Sequence, residues 1–412
     1  MAIQKITGFA DLFGPEADAY TFIENTAREV FARYGYTELR TPVVERTELF
    51  AKGIGEDTDV VGKEMYTFPD RRGRSLTLRP EATAGVVRAF IDSKRYQPGG
   101  VYKYYTLGPM FRYERPQKGR MRQFHQVNAE CFGSPSPLAD AESILMLADF
   151  LTAIGLRGLS FEINSLGCAE CRPSYRGFLT EYFENLTADA LCEDCRRRMA
   201  TNPMRVLDCK RDSCAEATKG APTTLQASCE GCRENFAVVK KVLEEAGLDY
   251  TVNPRLVRGL DYYKGTTFEV ASTDIGSQSA VAGGGRYDGL VKLLGGPDVP
   301  GVGFACGMER LALLLAEQKA AKPDFYVAVL DEAGLQAGLL LARGLRQAGL
   351  RGEAAFEAKS MKSQMRSADK SGARHVLILG GDELAQGTVT VKNLATGEQE
   401  TISMDRAAER LA

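Results

Sequence analysis

With 412 residues, 44% hydrophobic and 26% charged, the chain is long enough for two or three domains and has the composition of a soluble globular protein. Its net charge of -2 gives no global attraction to nucleic acid, so any RNA contact has to come from local basic patches. The start has no apolar core of signal-peptide length and no apolar run reaches membrane-spanning length, so a cytoplasmic protein with no membrane partner is expected.

An irregular segment from Ile6 to Pro15 opens the chain. Apolar residues then recur at helical spacing from Glu16 to Tyr34, and Gly35 supplies a stop. Thr37 to Glu45 reads as a strand with Pro42 at an edge or bend, because proline cannot donate to a central ladder. Met65–Phe68 and Ser75–Leu78 read as paired strands. Glu81-Ala82-Thr83 begins a helix running to Asp92, where an acid also suits the helix dipole and capping.

Met110 to Phe132 is the stretch around which the rest is organised. Pro116-Gln117-Lys118-Gly119 is a turn signal, so its flanks should pair as an antiparallel hairpin. Strand alternation puts Arg112 and Glu114 on one face before the turn, and Gln126, Asn128 and Glu130 on one face after it; Val127, Ala129 and Cys131 face the other way. Arg112, Arg115, Lys118, Arg120 and Arg122 crowd the turn, and arginine forks match phosphate oxygens two at a time.

Helical spacing continues from Ala139 to Ile154, followed by an alternating strand at Leu159–Ile163. Eight of the ten cysteines then fall between Cys168 and Cys232. Thiols in close pairs in a reducing compartment suggest metal more readily than disulfides. The pairs Cys168/Cys171 and Cys192/Cys195, separated by twenty residues, suit a four-thiolate structural zinc site, although eight thiols allow several ligand sets. Arg172, Arg176, Arg196, Arg197, Arg198, Lys210 and Arg211 add positive charge to this insertion. A helix from Phe236 to Ala246 and strands at Tyr250–Val252 and Thr266–Ala271 follow. Gly283-Gly284-Gly285-Arg286-Tyr287-Asp288 lets backbone approach a ligand closely, and a strand from Val302 leads into a helix at Leu311–Glu317. Beyond a polar linker, Phe325–Leu330, Ala333–Ala348 and His375–Leu379 alternate strand, helix and strand, and Thr388–Val391 with Glu400–Ile402 form a hairpin around Gly397; this is a layered α/β domain.

Phe111-Arg112-Tyr113-Glu114-Arg115 with Arg120-Met121-Arg122-Gln123-Phe124-His125-Gln126 resembles motif 2 of class II aminoacyl-tRNA synthetases in the form typical of the histidyl-tRNA synthetase family. Arg79-Pro80-Glu81-Ala82-Thr83, Leu256-Val257-Arg258-Gly259-Leu260-Asp261-Tyr262-Tyr263, Gly283 to Asp288 and Gly307-Met308-Glu309-Arg310 match the same family in its order. The resemblance implies an α+β chain: a class II antiparallel sheet flanked by helices (1–164 and 251–318) interrupted by a helical cysteine-rich insertion (165–250), then a linker (319–323) and an α/β anticodon-binding domain (324–412). It also implies a homodimer built through the helix and strand near the start.

By the same resemblance the chain activates L-histidine with ATP and Mg²⁺ and transfers it to tRNA-His. Arg112 and Arg258 become the catalytic cations at the α-phosphate, Glu114 orients the nucleotide, and Arg310 holds the γ-phosphate. Glu81, Thr83 and Gln126 hold the histidine amino group, Glu130 and Tyr263 read the imidazole, and Tyr262 lines the same pocket. Gln117 and Arg122 approach the 5′ end of the tRNA. No residue is implied as ligand to a catalytic metal, and zinc is not a general requirement of the family. His125 lies on the Val127 and Ala129 face, which suits a structural role. Two other classes compete. A histidine-binding regulatory subunit of ATP-phosphoribosyltransferase is disfavoured by the intact Arg258–Tyr263 stretch and the tail after Pro323. A zinc-dependent nucleic-acid-binding protein is disfavoured because it would leave the ordered motifs outside the cysteine cluster without a purpose.

Overall fold

A computed structural model describes residues 3–55, 58–187, 190–209, 211–275, 280–315 and 322–411. The chain forms two compact units, residues 1–318 and 319–412. In chain order the first unit holds strands β1 (Thr37–Glu38), β2 (Val44–Arg46), β3 (Tyr66–Pro69), β4 (Ser75–Leu78), β5 (Tyr102–Phe111), β6 (Gln123–Phe132), β7 (Ser160–Ser165), β8 (Thr251–Val252), β9 (Thr266–Ala271), β10 (Ala280–Arg286) and β11 (Gly301–Gly307). Its helices are α1 (Pro15–Arg33), α2 (Thr47–Ile54), α3 (Thr83–Ser93), α4 (Pro137–Ala153), α5 (Cys171–Glu184), α6 (Glu193–Thr201), α7 (Asp212–Ala217), α8 (Glu230–Glu245), α9 (Leu290–Leu293) and α10 (Met308–Leu314).

An eight-stranded sheet in the order β1-β5-β6-β11-β10-β9-β7-β8 carries the first unit; its five central pairings, from β5 to β7, are all antiparallel. Apolar stripes on α1 (Ile23, Ala27, Phe31), α4 (Ile144, Leu147, Phe150) and α8 (Phe236, Val239, Leu243) form one core with Val127, Ala129 and Cys131 of β6. Ser136 caps α4, its hydroxyl accepting from the Leu138 amide, and Pro137 opens the helix where no N–H is needed. A three-stranded sheet, β2-β4-β3, stands apart from the large one. The expected strand from Thr37 to Glu45 is thus two short strands in different sheets, with Pro42 in the bend between them.

The expected hairpin forms, with Met110 opposite Phe124 and Phe111 opposite Gln123. One detail differs: β5 ends at Phe111, so Arg112 and Glu114 lie beyond the ladder and strand alternation does not set their direction. The turn itself is closed by the Gln117 and Arg120 amides, each donating to the other's carbonyl at 3.0 and 2.9 Å. The Gly8 carbonyl accepts from the Arg122 and Gln123 amides at 2.9 and 3.1 Å, pinning the opening segment to the return of the hairpin.

The glycine run lies in a central strand, β10. A Cβ at Gly284 would collide with the Gly303 carbonyl and lie 2.7 Å from Phe304 Cα, backbone that cannot move aside. The second unit is a five-stranded sheet, β12 (Phe325–Val329), β13 (Gly352–Ala354), β14 (His375–Leu379), β15 (Thr388–Asn393) and β16 (Gln399–Ser403), in the order β13-β12-β14-β15-β16. Phe325, Val327, Val329, Leu377 and Leu379 are fully buried in its core, as expected of an α/β layer. Most of the expected linker, 319–321, lies outside the described residues, as do Lys210 and the last two residues of the helix expected at Leu311–Glu317.

Gly284→Ala is expected to destabilise the first unit by about 1–3 kcal/mol through overpacking. Gly177→Ala, in an exposed turn of α5 where an added Cβ meets nothing within 4 Å, should instead stabilise by about 0.5–1 kcal/mol. Urea unfolding of the two variants against the parent chain checks both signs.

Candidate active site

The site is the face of the large sheet that the α1–α4–α8 core leaves uncovered. Register places Glu269 of β9, Gly283 of β10, Ala305 of β11, Asn128 of β6 and Thr106 of β5 side by side in one row across the strands. The neighbouring rows place Gly303 beside Glu130 and Gly307 beside Gln126. Large polar side chains on β6 therefore meet glycine or alanine on β11, and the missing side chains leave a cleft of about 350 Å³.

Three loops and two helix starts wall this cleft. Glu81 precedes α3 rather than lying in it: its carboxylate accepts from the Thr83 and Ala84 amides at 2.7 and 2.9 Å. Capping and cleft-lining are thus done by one carboxylate, with the cap fixing which way it faces. The Arg258–Tyr263 loop brings in Arg258, whose Nη1 donates to Glu269 Oε2 at 2.6 Å, with Tyr262 and Tyr263 buried beside it. The Arg258 guanidinium lies where a Cβ of residue 283 would be, so glycine there is what admits the cation. Arg112 donates from Nε to the Pro80 carbonyl at 2.9 Å and lies 5.2 Å from the Phe124 ring centroid. Arg310, at the start of α10, donates to the carbonyls of Gly119 at 3.2 Å and Ala280 at 2.5 Å.

Cations and acceptors are therefore concentrated in one cleft. Burial opposes the charge of Arg258, yet Tyr263 and Glu269 hold its pKa above the usual value. Burial lowers that of Arg310, helped by the Arg120 cation. Gln126 Oε1 and Asn128 Oδ1 are buried acceptors with no partner among the described residues, and Arg258 Nε is a donor in the same position. Unpaired buried polar atoms cost free energy, and three of them belong to the lining of one cleft, which suits a ligand that would supply the missing partners.

Of the residues expected at the site, Glu81, Thr83, Arg112, Glu114, Gln126, Arg258, Tyr262, Tyr263 and Arg310 all line this one cleft. Glu130 sits behind the lining: Thr83 Oγ1 donates to its Oε1 at 2.7 Å and the Tyr287 hydroxyl to its Oε2 at 2.5 Å. Gln117 and Arg122 are not in the lining; the Arg122 guanidinium stacks 4.2 Å from the Tyr113 ring centroid, and Gln117 belongs to the turn. Glu114 is ion-paired with Arg120. His125 is structural, its amide donating to both Glu309 carboxylate oxygens at 2.8 and 3.0 Å. Arg286 is structural too, paired with Asp140 in the buried link between β10 and the start of α4.

Asn128, Arg120 and Glu269 also line the cleft; the first two belong to the polar row and the basic turn read from the sequence without an assigned role, and Glu269 is the one the sequence reading missed. Alternation against the buried Phe268 and Val270 would have flagged Glu269, and Asn128 was visible in the polar row. The cysteines depart from expectation more sharply. Cys168/Cys171 does not join Cys192/Cys195. Cys168, Cys171, Cys229 and Cys232 make one group and Cys192, Cys195, Cys209 and Cys214 another, each with its sulfur atoms within 4.8 Å of one another.

Burial pushes the Glu130 carboxyl up to about 8 against hydrogen bonds from Tyr287 and Thr83 that favour its ionised form. The folded-state pKa exceeds the unfolded value, so the stability this group contributes is complete below about pH 4.5 and is lost as pH rises to about 8. Glu130→Gln should remove that part of the decline, measured as the pH dependence of urea unfolding between those limits.

Comparison with known proteins places this cleft in context. The family profile described as Histidyl-tRNA synthetase matches residues 8–311, and the one described as Anticodon binding domain matches residues 324–412. The histidine–tRNA ligase of Oleidesulfovibrio alaskensis is 62% identical over 100% of this chain and 99% of its own length. That of Nitratidesulfovibrio vulgaris (strain DP4) is 63% identical over 99% and 98%. An apo crystal structure of S. aureus histidyl-tRNA synthetase matches with a TM-score of 0.82 at 34% identity, covering 100% of both chains. The cleft, its motifs and these full-length likenesses agree, and the chain belongs to the histidyl-tRNA synthetase family.

Proposed function

We propose that this chain is a histidine–tRNA ligase, and that the cleft on the large sheet is where histidine is activated and transferred. The observation that carries this reading is the convergence of Arg112, Arg258 and Arg310 on a cleft whose buried acceptors Gln126 and Asn128 have no partner among the described residues. An aminoacyl adenylate needs both halves of such a site: cations for the phosphates and acceptors for an ammonium group.

Histidine's carboxylate oxygen attacks the α-phosphorus of ATP, the new O–P bond forms and pyrophosphate leaves. The terminal adenosine hydroxyl of the tRNA then attacks the carbonyl of histidyl-adenylate, and AMP leaves. Neither step needs a nucleophile from the protein, so the rate comes from alignment and from charge stabilisation. Arg258 and Arg112 bracket the α-phosphate as negative charge builds there, Arg310 holds the γ-phosphate, and Glu114 orients the nucleotide. Glu81, Thr83 and Gln126 take the amino group, with Asn128 as a further acceptor beside them. Tyr263 and Glu130 read the imidazole, and Tyr262 closes the pocket.

A buried acceptor facing an imidazole N–H rejects side chains lacking that donor, since it would be left unpaired. Mg²⁺ travels with the triphosphate, and the cleft offers the hard oxygen donors that suit it. The carboxylates of the lining, Glu114 and Glu269, are the side chains that would hold it, and it would neutralise phosphate charge. In this reading Gln117 and Arg122 meet the 5′ end of tRNA-His and the arginines of α6 its acceptor arm. The working form is a homodimer built through α1 and β1, and the substrates imply a cytoplasmic setting; no helix among the described residues is long and apolar enough to cross a membrane.

Arg258→His is expected to slow histidine-dependent ATP–pyrophosphate exchange by about 10²–10³-fold, the scale of losing one transition-state charge contact. Unchanged exchange with intact folding would remove Arg258 from the chemistry.

A further inference from the structure

We propose that the insertion binds two zinc ions, one in each thiol quartet, with the ligand sets Cys168, Cys171, Cys229, Cys232 and Cys192, Cys195, Cys209, Cys214. Sulfur separations narrow the chemistries open to eight thiols to one tetrahedral ion per quartet, and zinc is the closed-shell ion that suits a structural site of four thiolates. Cys168 and Cys171 sulfurs are 3.5 Å apart, Cys171 and Cys232 3.9 Å, and Cys192 and Cys209 4.0 Å. A tetrahedron with Zn–S bonds of about 2.3 Å has edges of about 3.8 Å. A disulfide needs about 2.05 Å. An iron–sulfur cubane spreads its four thiolates over four different metal atoms, too far apart for a group confined within 4.8 Å.

The surroundings also suit thiolates. The Cys229 amide donates to Cys171 Sγ at 3.1 Å and the Cys192 amide to Cys214 Sγ at 3.2 Å, so in each quartet a backbone N–H points at a ligand sulfur. Both donors are N-cap residues, of α8 and α6, where an orphan amide is available. Cys195 and Cys214 are fully buried. Four ligands close each site, which makes both ions structural.

The quartets differ in what they tie. The first joins the start of α5, just after the chain leaves β7, to the start of α8, the helix that leads back to β8. The second knits α6 to α7 within the excursion. Each also steadies a segment that grips the Arg258–Tyr263 loop. Arg172, next to Cys171, donates to the Asp261 carbonyl at 3.4 Å, and Asn202, just after α6, donates to Asp261 Oδ1 at 3.0 Å. Arg205 donates to the Gly259 carbonyl at 2.5 Å. The two ions therefore brace a loop of the cleft from outside it.

The test is metal analysis of the full-length chain purified under reducing conditions without chelator. Two zinc equivalents per chain are expected, with one retained in Cys209→Ser. Cobalt substitution of the parent protein should give the intense visible absorption of a tetrahedral thiolate site together with sulfur-to-cobalt charge transfer. One zinc or none in the parent chain, or iron in its place, would overturn the proposal, and this readout is independent of whether the protein charges tRNA.

Discussion

Everything in the first unit depends on one strand having to satisfy two environments. On β6, Val127, Ala129 and Cys131 must join the apolar core, while Gln126, Asn128 and Glu130 point the other way and cannot be buried there without partners. The neighbouring strand β11 resolves this by having almost no side chains on that face: Gly303, Ala305 and Gly307 stand opposite the three polar residues. A Cβ at Gly303 would occupy the Glu130 carboxylate, and one at Gly283 the Arg258 guanidinium. The cleft is thus a consequence of strand parity plus selective absence of side chains, and the chemistry follows from what converges on it.

The same principle explains the sharing of structural and chemical duties. Glu81 caps α3 and faces the cleft with one carboxylate; Thr83 begins that helix and donates to Glu130. Tyr287 holds Glu130 from the other side. Rigidity costs nothing extra here, because the groups that fix the backbone also orient the site.

Much of this was legible in the sequence because it is local. Alternation along Gln126–Cys131 gave the two faces, helical spacing gave α1 and α4, and the order of five motifs carried the family resemblance. What was not legible is nonlocal. No spacing rule could reveal that Tyr287 reaches Glu130, or that Cys168 and Cys171 close with Cys229 and Cys232 across the whole insertion instead of with the nearer pair. Arg112 and Glu114 were read by strand parity, but β5 stops at Phe111, and their positions are set by the Pro80 carbonyl and Arg120 instead. The short α2 escaped because a helix of 8 residues carries little periodic signal.

In the proposed reaction this cleft both activates histidine and delivers it to RNA. The most direct measurement is attachment of labelled histidine to tRNA-His by the full chain with Mg²⁺-ATP, with omission of ATP as the control. ATP-dependent accumulation of histidyl-tRNA is the expected result. Tight histidine binding without charging of any tRNA would contradict it, and would leave a histidine-sensing pocket that has the site's geometry without its reaction.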